Sequence, residues 1–500
     1  MSARLLLTAA AVAVMLAFAA YRWTERMLWT PLGTGGDMLL VVHAAMRRLL
    51  HGGDPYALYH VPWEAPLPYG PMLWGPFLIA QVQRIDLRVV TVAGSLFVPL
   101  WCGVAACVEA SRGRVAAASA WLVLLAALAL HPAFLRFMPT GHTAAYWPLL
   151  LLFAAFVAAE HWTAAGLVLG LLLAARSTMV VMVPIFAMAV WMRDRRAVWP
   201  SLASGALVTA VLLLPFVVWN PSTWWYGMVA SYPKIMKEVV WTGPEHGLAA
   251  TIGLTGWLVP HGFGVLVMPV NVIALLIVYV LACRALAGGA RSLPWMALAL
   301  FVFSMTTLWP VYYIYLDVFL LLASAAVVDV LEPNAERRII AGWIASLAAV
   351  AVFALISVRV LAASRPVMVF ESHVNRQALS DGFAPFNVAS PYAWVWGQTA
   401  SVIVPRGATT DADIEITLQP VIDATGPPQQ IVAILNGVLL GSTDARPGWQ
   451  SVRFRAPAVA WQFGSNTLEL RCASSARPID VGLGEDPRHM SLAVRAIAVQ

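Results

Sequence analysis

The run SLASGALVTAVLLLPFVVW, residues 201–219, decides the fold class of this chain. It holds no charged side chain, and its length is close to the ~20 apolar residues that a helix needs to cross a bilayer. Comparable runs recur from Leu5 to about Leu361 and stop after Ser364. The sequence therefore predicts a polytopic α-helical membrane domain, residues 1–364, followed by a domain of ordinary polarity, residues 365–500.

The composition excludes several classes of protein. Of the 500 residues, 60% are hydrophobic and only 11% are charged, and the mean hydropathy is +0.76. Soluble chains carry about 25% charged residues, so a soluble globular enzyme is excluded. Four cysteines are too few for a disulfide scaffold of this length. The net charge of +6 is attributed to cytoplasmic loops, which are rich in Lys and Arg, and we predict no nucleic-acid partner.

Three short basic loops set the predicted orientation. Because such loops stay in the cytoplasm, the long loop 220–262 and the turn at Trp309-Pro310 lie outside, and a last span near 339–361 places the C-terminal domain outside. The basic loops are MRDRR (192–196), the stretch 284–291 and AERR (335–338). We predict about 9–11 spans, with the C-terminal domain on the extracytoplasmic side.

Two features of the first half leave alternatives open. The apolar run after Arg4 resembles a signal peptide, but we favour a first membrane helix because more spans follow. Counting every run between Tyr69 and Met192 as a span gives one crossing too many. Either 71–83 is re-entrant, or 164–192 is one long broken helix.

The C-terminal domain is predicted to be all-β, a sandwich or jelly roll. Short apolar or alternating runs are bounded by Gly, Pro and Asn. Asn436-Gly437 between two of them is typical of a type I′ hairpin turn, since both turn positions need positive φ. The predicted strands are 413–418, 430–435, 452–456, 467–471 and 491–499.

The pattern LNG–VLLG–GWQSVRFRAPA–FGSNTLELR in this domain resembles the carbohydrate-binding-module-like sandwiches appended to bacterial membrane glycosyltransferases. The resemblance implies a sugar-binding domain. A lid or packing domain that binds no sugar is the alternative, because a fold alone does not define a function.

The first outer loop, residues 35–71, departs most from pure hydrophobicity. Residues 38–50 are amphipathic, with Leu39, Val42 and Met46 on one helical stripe, which suits a helix lying in the membrane interface. Gly52-Gly53-Asp54-Pro55 then ends this helix, and a Pro-rich stretch follows with Trp63, Tyr69 and Trp74.

These motifs resemble the GT-C glycosyltransferases, and most closely glycosyltransferase family 87, the polyprenyl-phosphate-mannose-dependent mannosyltransferases. The shared features are an Asp after the first membrane segment, an amphipathic helix, a G-D-P-Y turn and Y-x-P before the next apolar run. Thr140-Gly141-His142, Arg176 and WPVYYIY (309–315) are similar too. The family often has Gly-Gln and Lys where this chain has Gly141-His142 and Arg176, which leaves the sub-family and the sugar open.

The resemblance implies transfer of a sugar from a polyprenyl-phosphate donor to a glycan or glycolipid acceptor. The active site would then lie on the extracytoplasmic side of the bacterial cytoplasmic (inner) membrane, in contact with membrane lipid. Polyprenyl-phosphate is a good leaving group, so the protein chiefly needs a base for the acceptor hydroxyl and cations for the phosphate. Asp37 is the candidate base, and a helix N-cap is its alternative role.

Three residues are candidates to bind the donor phosphate. Arg176 interrupts an apolar run and should face a cavity or a partner, although snorkelling at a helix end would also place it there. Arg136 and His142 are further candidates near this segment.

The remaining candidates are predicted to contact substrate, and some of them have a structural alternative. Asp54 suits turn chemistry, and Tyr312 and Tyr313 suit an interfacial aromatic belt. The predicted substrate contacts are Asp54, Tyr56, Tyr69, His246, Tyr312 and Tyr313. We predict no resident metal site, because His131, His142 and His246 lack a metal-ligand spacing. The need for a cofactor, such as a divalent metal, stays open.

Two functions outside catalysis remain. One is a transporter or flippase of lipid-linked sugar, which would also need intramembrane charge. The other is a non-catalytic assembly subunit of an envelope polysaccharide machine. Neither a Walker sequence nor G-x-S-x-G occurs, so ATP-driven transport and serine hydrolysis have no support.

Overall fold

A computed structural model describes most of the chain, which forms two compact units. Unit 1 comprises Met1–Ala19, Gly35–Ile79 and Val90–Val352, and unit 2 comprises Ala20–Thr34, Ala80–Val89 and Phe353–Gln500. The described residues are 3–33, 38–61, 64–130, 141–235, 238, 241, 254–306, 314–331, 335–363, 367–370, 373–384 and 392–500. The domain boundary after residue 364 stays a prediction.

The described residues between 3 and 363 are mainly helical. The helices, in chain order, are α1 Ala3–Leu28, α2 Met38–Leu50, α3 Pro71–Val82, α4 Arg88–Ser111, α5 Val115–Leu130, α6 Trp147–Ala158, α7 Trp162–Ala175, α8 Val183–Arg193, α9 Val198–Trp219, α10 Pro221–Trp225, α11 Ser231–Ile235, α12 Leu254–Leu258, α13 Val267–Ala287, α14 Leu293–Thr306, α15 Ile314–Leu331 and α16 Glu336–Ala363. A short helix α17, His373–Arg376, follows.

Five helical segments in the described part of the chain are long and apolar enough to cross a membrane. They are Ala3–Leu28, Arg88–Ser111, Arg195–Trp219, Gly264–Ala287 and Glu336–Ala363. Several shorter apolar helices accompany them, among them α3, α5, α6 and α7. These lengths suggest a membrane protein.

The sequence leaves two alternatives open for the first half of the chain, a re-entrant segment 71–83 and a broken helix 164–192. The structure has a short helix in the first segment and a break in the second. Helix α3 has only 12 residues, about 18 Å, which is too short to span. The apolar run 164–192 is broken at Arg176, whose backbone is extended, with φ −149° and ψ 122°. A 3₁₀ turn, Ser177–Met182, and α8 follow the break.

Helices α7 and α9 pack through small residues. A Cβ atom on Gly166 would overlap the Ser201 carbonyl oxygen, and one on Gly170 would overlap that of Gly205. Thr209 donates its hydroxyl to the Gly170 carbonyl at 3.2 Å. Small residues spaced four apart let two backbones approach closely, which is how helices associate where lipid removes the hydrophobic driving force.

The C-terminal part of unit 2 contains two antiparallel sheets, which confirms the predicted β domain. The strands are β3 Val367–Val369, β4 Ala393–Trp396, β5 Thr399–Arg406, β6 Ala412–Pro420, β7 Gln429–Leu435, β8 Val438–Ala445, β9 Gln450–Ala456, β10 Gly464–Cys472 and β11 Met490–Val499. One sheet has the order β5-β10-β7-β8; the other has β3-β11-β6-β9, with β4 also pairing β11. A two-stranded ribbon, β1 Tyr59–His60 and β2 Glu64–Ala65, belongs to unit 1.

All five strands expected from the sequence are present. Burial alternates residue by residue along β6, so this strand turns one face to the core. Leu435 pairs with Val438 across the Asn436-Gly437 turn, whose φ values are 51° and 83°. The positive φ at both positions confirms the predicted hairpin.

A segment between α3 and α4 is part of the same compact unit as the β domain. The Asp86 backbone N–H donates to the Phe463 carbonyl at 2.8 Å, and Phe463 donates to the Arg84 carbonyl at 2.8 Å. The Asp86 carboxylate forms a buried ion pair with Arg88 at 2.7 Å. A side chain on Gly464, which has φ +125°, would press against Asp86. The contact therefore requires glycine there.

Candidate functional site

The site is built around the helix break at Arg176, all of it within unit 1. The Gly70 N–H donates to the Ala175 carbonyl at 3.2 Å, and a Cβ on Gly70 would overlap the Ala174 carbonyl oxygen. Glycine at this position lets the loop that carries Tyr69 lie against the end of α7. Arg176 also follows the C-terminal turn of α7, where the partial negative charge of the helix end favours a cation.

Arg176 belongs to a polar network that we call the Arg176 cluster, made of Tyr146, Trp147, Arg176 and Asp317. The Tyr146 hydroxyl donates to Asp317 Oδ2 at 2.6 Å, and Trp147 Nε1 donates to Oδ1 at 3.0 Å. Arg176 Nη1 donates to the Tyr146 hydroxyl at 3.1 Å and pairs with Asp317 Oδ2 at 3.4 Å. The side chains of Arg176 and Asp317 are only 11% and 5% exposed, so this is a buried ion pair.

Sequence reasoning missed Asp317. It lies in the first turn of α15, in an apolar helix, where an ionisable residue is expensive and is by default a functional candidate. That rule could have selected Asp317 from the sequence. Of the two surroundings expected for Arg176, a cavity or a partner, the structure shows a partner, the Asp317 carboxylate.

His142 lies beside the cluster. The centroid of its ring is 4.3 Å from that of Tyr69. The residue before it, Gly141, accepts a hydrogen bond through its carbonyl from the Thr91 hydroxyl at 3.0 Å. Its Nε2 is buried and has no hydrogen-bond partner among the described residues. Burial, and then the charge of Arg176, lower the pKa of His142 to about 3. The imidazole is therefore neutral at pH 7, and it can offer a hydrogen bond but no charge.

Asp54 and Tyr56 have structural contacts. Asp54 Oδ1 accepts from the Tyr56 N–H at 2.9 Å, and Oδ2 accepts from the Thr223 hydroxyl at 2.5 Å. The Tyr56 hydroxyl is buried and donates to the Tyr69 carbonyl at 3.1 Å. Burial raises the pKa of Tyr56, so this hydroxyl stays protonated. These contacts account for turn and packing roles, and contact with substrate stays a prediction for Asp54, Tyr56 and Tyr69.

The other predicted site residues lie outside the described residues. They are Asp37, Arg136, His246, Tyr312 and Tyr313. The helix predicted after Asp37 is present as α2, Met38–Leu50. Its apolar stripe is buried, and its two arginines, Arg47 and Arg48, are exposed. Within the described part of the chain, no group of three or more His, Cys, Asp or Glu is placed to hold a metal ion.

The arrangement combines a buried guanidinium that is paired with the Asp317 carboxylate and a neutral imidazole beside that pair. A guanidinium carries five N–H donors in a planar fork that matches the oxygens of a phosphate. Charge-assisted hydrogen bonds to phosphate are about twice as strong as neutral ones. Oxygen acceptors are therefore the groups that the Arg176 guanidinium binds, and in this structure the Asp317 carboxylate supplies one of them.

No family model matches the chain, and no curated protein matches it. Among solved structures, it is similar to one described as "Structure of a family 35 carbohydrate binding module from an environmental isolate". The identity is 12%, the similarity covers 27% of this chain and 91% of that chain, and the TM-score is 0.17. This is a weak structural similarity.

Proposed function

We propose that the protein is a GT-C glycosyltransferase, most like glycosyltransferase family 87, that uses a polyprenyl-phosphate-linked sugar. The sugar would pass to an envelope glycan or glycolipid acceptor. The observation that carries the proposal is the buried Arg176, held at a break between apolar helices with a neutral His142 beside it. A cation at such a place suits the anionic head of a lipid whose chain needs an apolar surface.

The proposed transfer needs two contributions from the protein, a base for the acceptor and groups that stabilise the phosphate. The acceptor oxygen attacks the anomeric carbon, and the bond from that carbon to the phosphate oxygen breaks with its electron pair leaving on the phosphate. A base, for which we propose Asp37, takes the acceptor proton. Arg176 would stabilise the phosphate charge, and His142 would contribute a hydrogen bond from its neutral ring.

The proposed location is the bacterial inner membrane, with the active site and the β domain on the extracytoplasmic side. Five helices of membrane-spanning length and the basic loops support a multi-pass membrane protein. The β domain, proposed as a carbohydrate-binding-module-like sandwich, would hold a glycan acceptor near the site and raise its local concentration.

A transporter or flippase of lipid-linked sugar is the second candidate, because a buried Arg–Asp pair also occurs on substrate pathways through membranes. The two functions differ in one measurable product. A transferase makes a new glycosidic bond, whereas a flippase only moves the donor across the bilayer.

Asp37→Asn tests the proposed chemistry. Asparagine caps a helix about as well as aspartate, so the variant should fold, and turnover should fall by about 10²–10⁴-fold because the base is lost. The measurement is sugar transfer from a polyprenyl-phosphate donor by purified protein in detergent.

Asp194→Asn is the matched control. Asp194 caps the 3₁₀ turn Arg195–Ala197, its side chain accepting from the Arg196 N–H, in a loop predicted to be cytoplasmic. It should retain wild-type turnover. Activity within a few-fold of wild type for Asp37→Asn would refute its role as base. Absence of any glycosidic product from wild type would favour the flippase or an assembly subunit.

A further inference from the structure

The carboxylate of Asp317 is the centre of the Arg176 cluster. It accepts from Tyr146, Trp147 and Arg176 at 2.6, 3.0 and 3.4 Å, and it is buried. A buried carboxylate is costly unless it is paired and hydrogen-bonded. Three donors on one carboxylate meet that condition and fix its position.

The donors come from separate parts of the chain. Tyr146 and Trp147 lie at the start of α6, Arg176 follows the end of α7, and Asp317 lies in the first turn of α15. Arg176 has no regular backbone to orient it, because it stands in extended conformation at the helix break. An arginine has a long side chain with many rotamers, so its direction must come from the partners of its guanidinium.

The Tyr146 hydroxyl connects the two charges. It accepts a hydrogen bond from Arg176 Nη1 at 3.1 Å while it donates its own proton to Asp317 at 2.6 Å. Nη1 is thus held twice, directly by the carboxylate and through the phenol. Such a two-point attachment restricts the plane of the guanidinium as well as the location of one nitrogen.

We propose that Asp317 is a positioning residue, which fixes the guanidinium of Arg176, directly and through Tyr146, to receive the phosphate of the lipid-linked donor. This rests on the proposed function. Asp317 itself does not touch the donor. Its role is to keep the guanidinium in one orientation. The conformational entropy of the Arg176 side chain is then lost on folding and not on donor binding, which favours binding.

The test uses the full-length protein in nanodiscs and two probes, undecaprenyl phosphate and undecaprenol, which differ only in the phosphate. Wild type should bind the phosphate more tightly than the alcohol. Asp317→Asn and Tyr146→Phe should each weaken binding of the phosphate by roughly tenfold, since each removes a hydrogen bond that involves a charged group or orients one. Binding of undecaprenol should not change.

Asp317→Asn leaves the buried cation without its counter-charge, so this variant is expected to be the less stable of the two. Tyr146→Phe keeps the ring and removes only the hydroxyl, so it still tests the positioning role if Asp317→Asn does not fold. Tyr279→Phe is the matched control. The Tyr279 hydroxyl, like that of Tyr146, donates a hydrogen bond to a buried residue, here to the Val181 carbonyl at 3.1 Å, and Tyr279 is not a member of the cluster. Its loss should leave phosphate binding at the wild-type value.

Kinetics give a second measurement. A positioning role in donor binding predicts a higher KM for the lipid-linked donor and a kcat within a few-fold of wild type. A collapse of kcat with unchanged phosphate affinity would instead place Asp317 in the chemistry and overturn the positioning role.

The remaining outcomes separate this inference from the proposed function. If wild type does not prefer undecaprenyl phosphate over undecaprenol, the donor site at Arg176 is wrong and the inference falls with it. If wild type shows the preference and both variants bind like wild type, the donor site stands and Asp317 does not position Arg176.

Discussion

At the residue scale, His142 shows how burial changes what a side chain can do. Histidine near a phosphate is often regarded as a cation, but desolvation and the adjacent Arg176 lower its pKa to about 3. Of these two residues, Arg176 is the one that carries positive charge at neutral pH. We therefore assign the electrostatic part of phosphate binding to Arg176 and a hydrogen bond to His142.

The lowered pKa predicts a dependence of stability on pH. The imidazole of an unfolded chain has a pKa of about 6.5, so the unfolded state binds a proton below that pH and the folded state does not until about pH 3. The contribution of His142 to stability is present above pH 6.5 and is lost progressively as the pH falls toward 3. His142→Gln removes this dependence.

The measurement is the thermal unfolding midpoint in detergent between pH 7.5 and 4.5. The midpoint of wild type should fall more steeply with decreasing pH than that of His142→Gln. Parallel pH profiles would contradict the burial of a neutral imidazole at this position.

At the element scale, the contact between α7 and α9 holds one side of the site. Helix α7 ends at Ala175, directly before Arg176, so its position determines where the cation lies. The contact depends on backbone approaching backbone at Gly166 and Gly170. A side chain there cannot be relieved by a rotamer change, because the opposing atoms are carbonyl groups of α9.

Gly166→Ala should therefore destabilise the protein by about 1–3 kcal/mol, the usual cost of overpacking. Gly75→Ala is the matched control. Gly75 lies inside α3 with no atom within 4 Å of an added Cβ, so alanine should be neutral or stabilising by up to about 1 kcal/mol. Thermal unfolding of both variants in detergent checks this. Equal midpoints for the two variants would show that the α7–α9 contact is looser than its geometry indicates.

At the scale of the whole molecule, the orientation of the chain decides on which side of the membrane the proposed reaction occurs. We expect a cysteine at Ser442, exposed on β8, to label with a membrane-impermeant thiol reagent in intact spheroplasts. A cysteine at Asn334, a sequence position outside the described residues, should not label. The background is a variant without the four native cysteines. The reverse labelling order would move the proposed site to the cytoplasm.

The sequence by itself determined the features that depend on short stretches. The length of an apolar run predicts a membrane helix, because each residue lengthens an α-helix by the same amount and the number of residues therefore gives the thickness of membrane that the helix can cross. Alternation predicts a strand, and Asn436-Gly437 predicts its turn, because both are properties of neighbouring residues. Helix α2 follows for the same reason, since its apolar residues recur at the helical period.

Only the tertiary structure decided which distant residues meet. An arginine or an aspartate in an apolar run indicates that a partner is needed. Arg176 and Asp317 are 141 positions apart, however, and no local pattern in the sequence pairs them. In the same way, nothing near Asp86 in the sequence indicates that its carboxylate accepts from the Ser465 N–H, 379 residues away. Such contacts follow from how helices and strands pack, because a buried charge is stabilised only by the particular groups that packing brings within hydrogen-bonding distance.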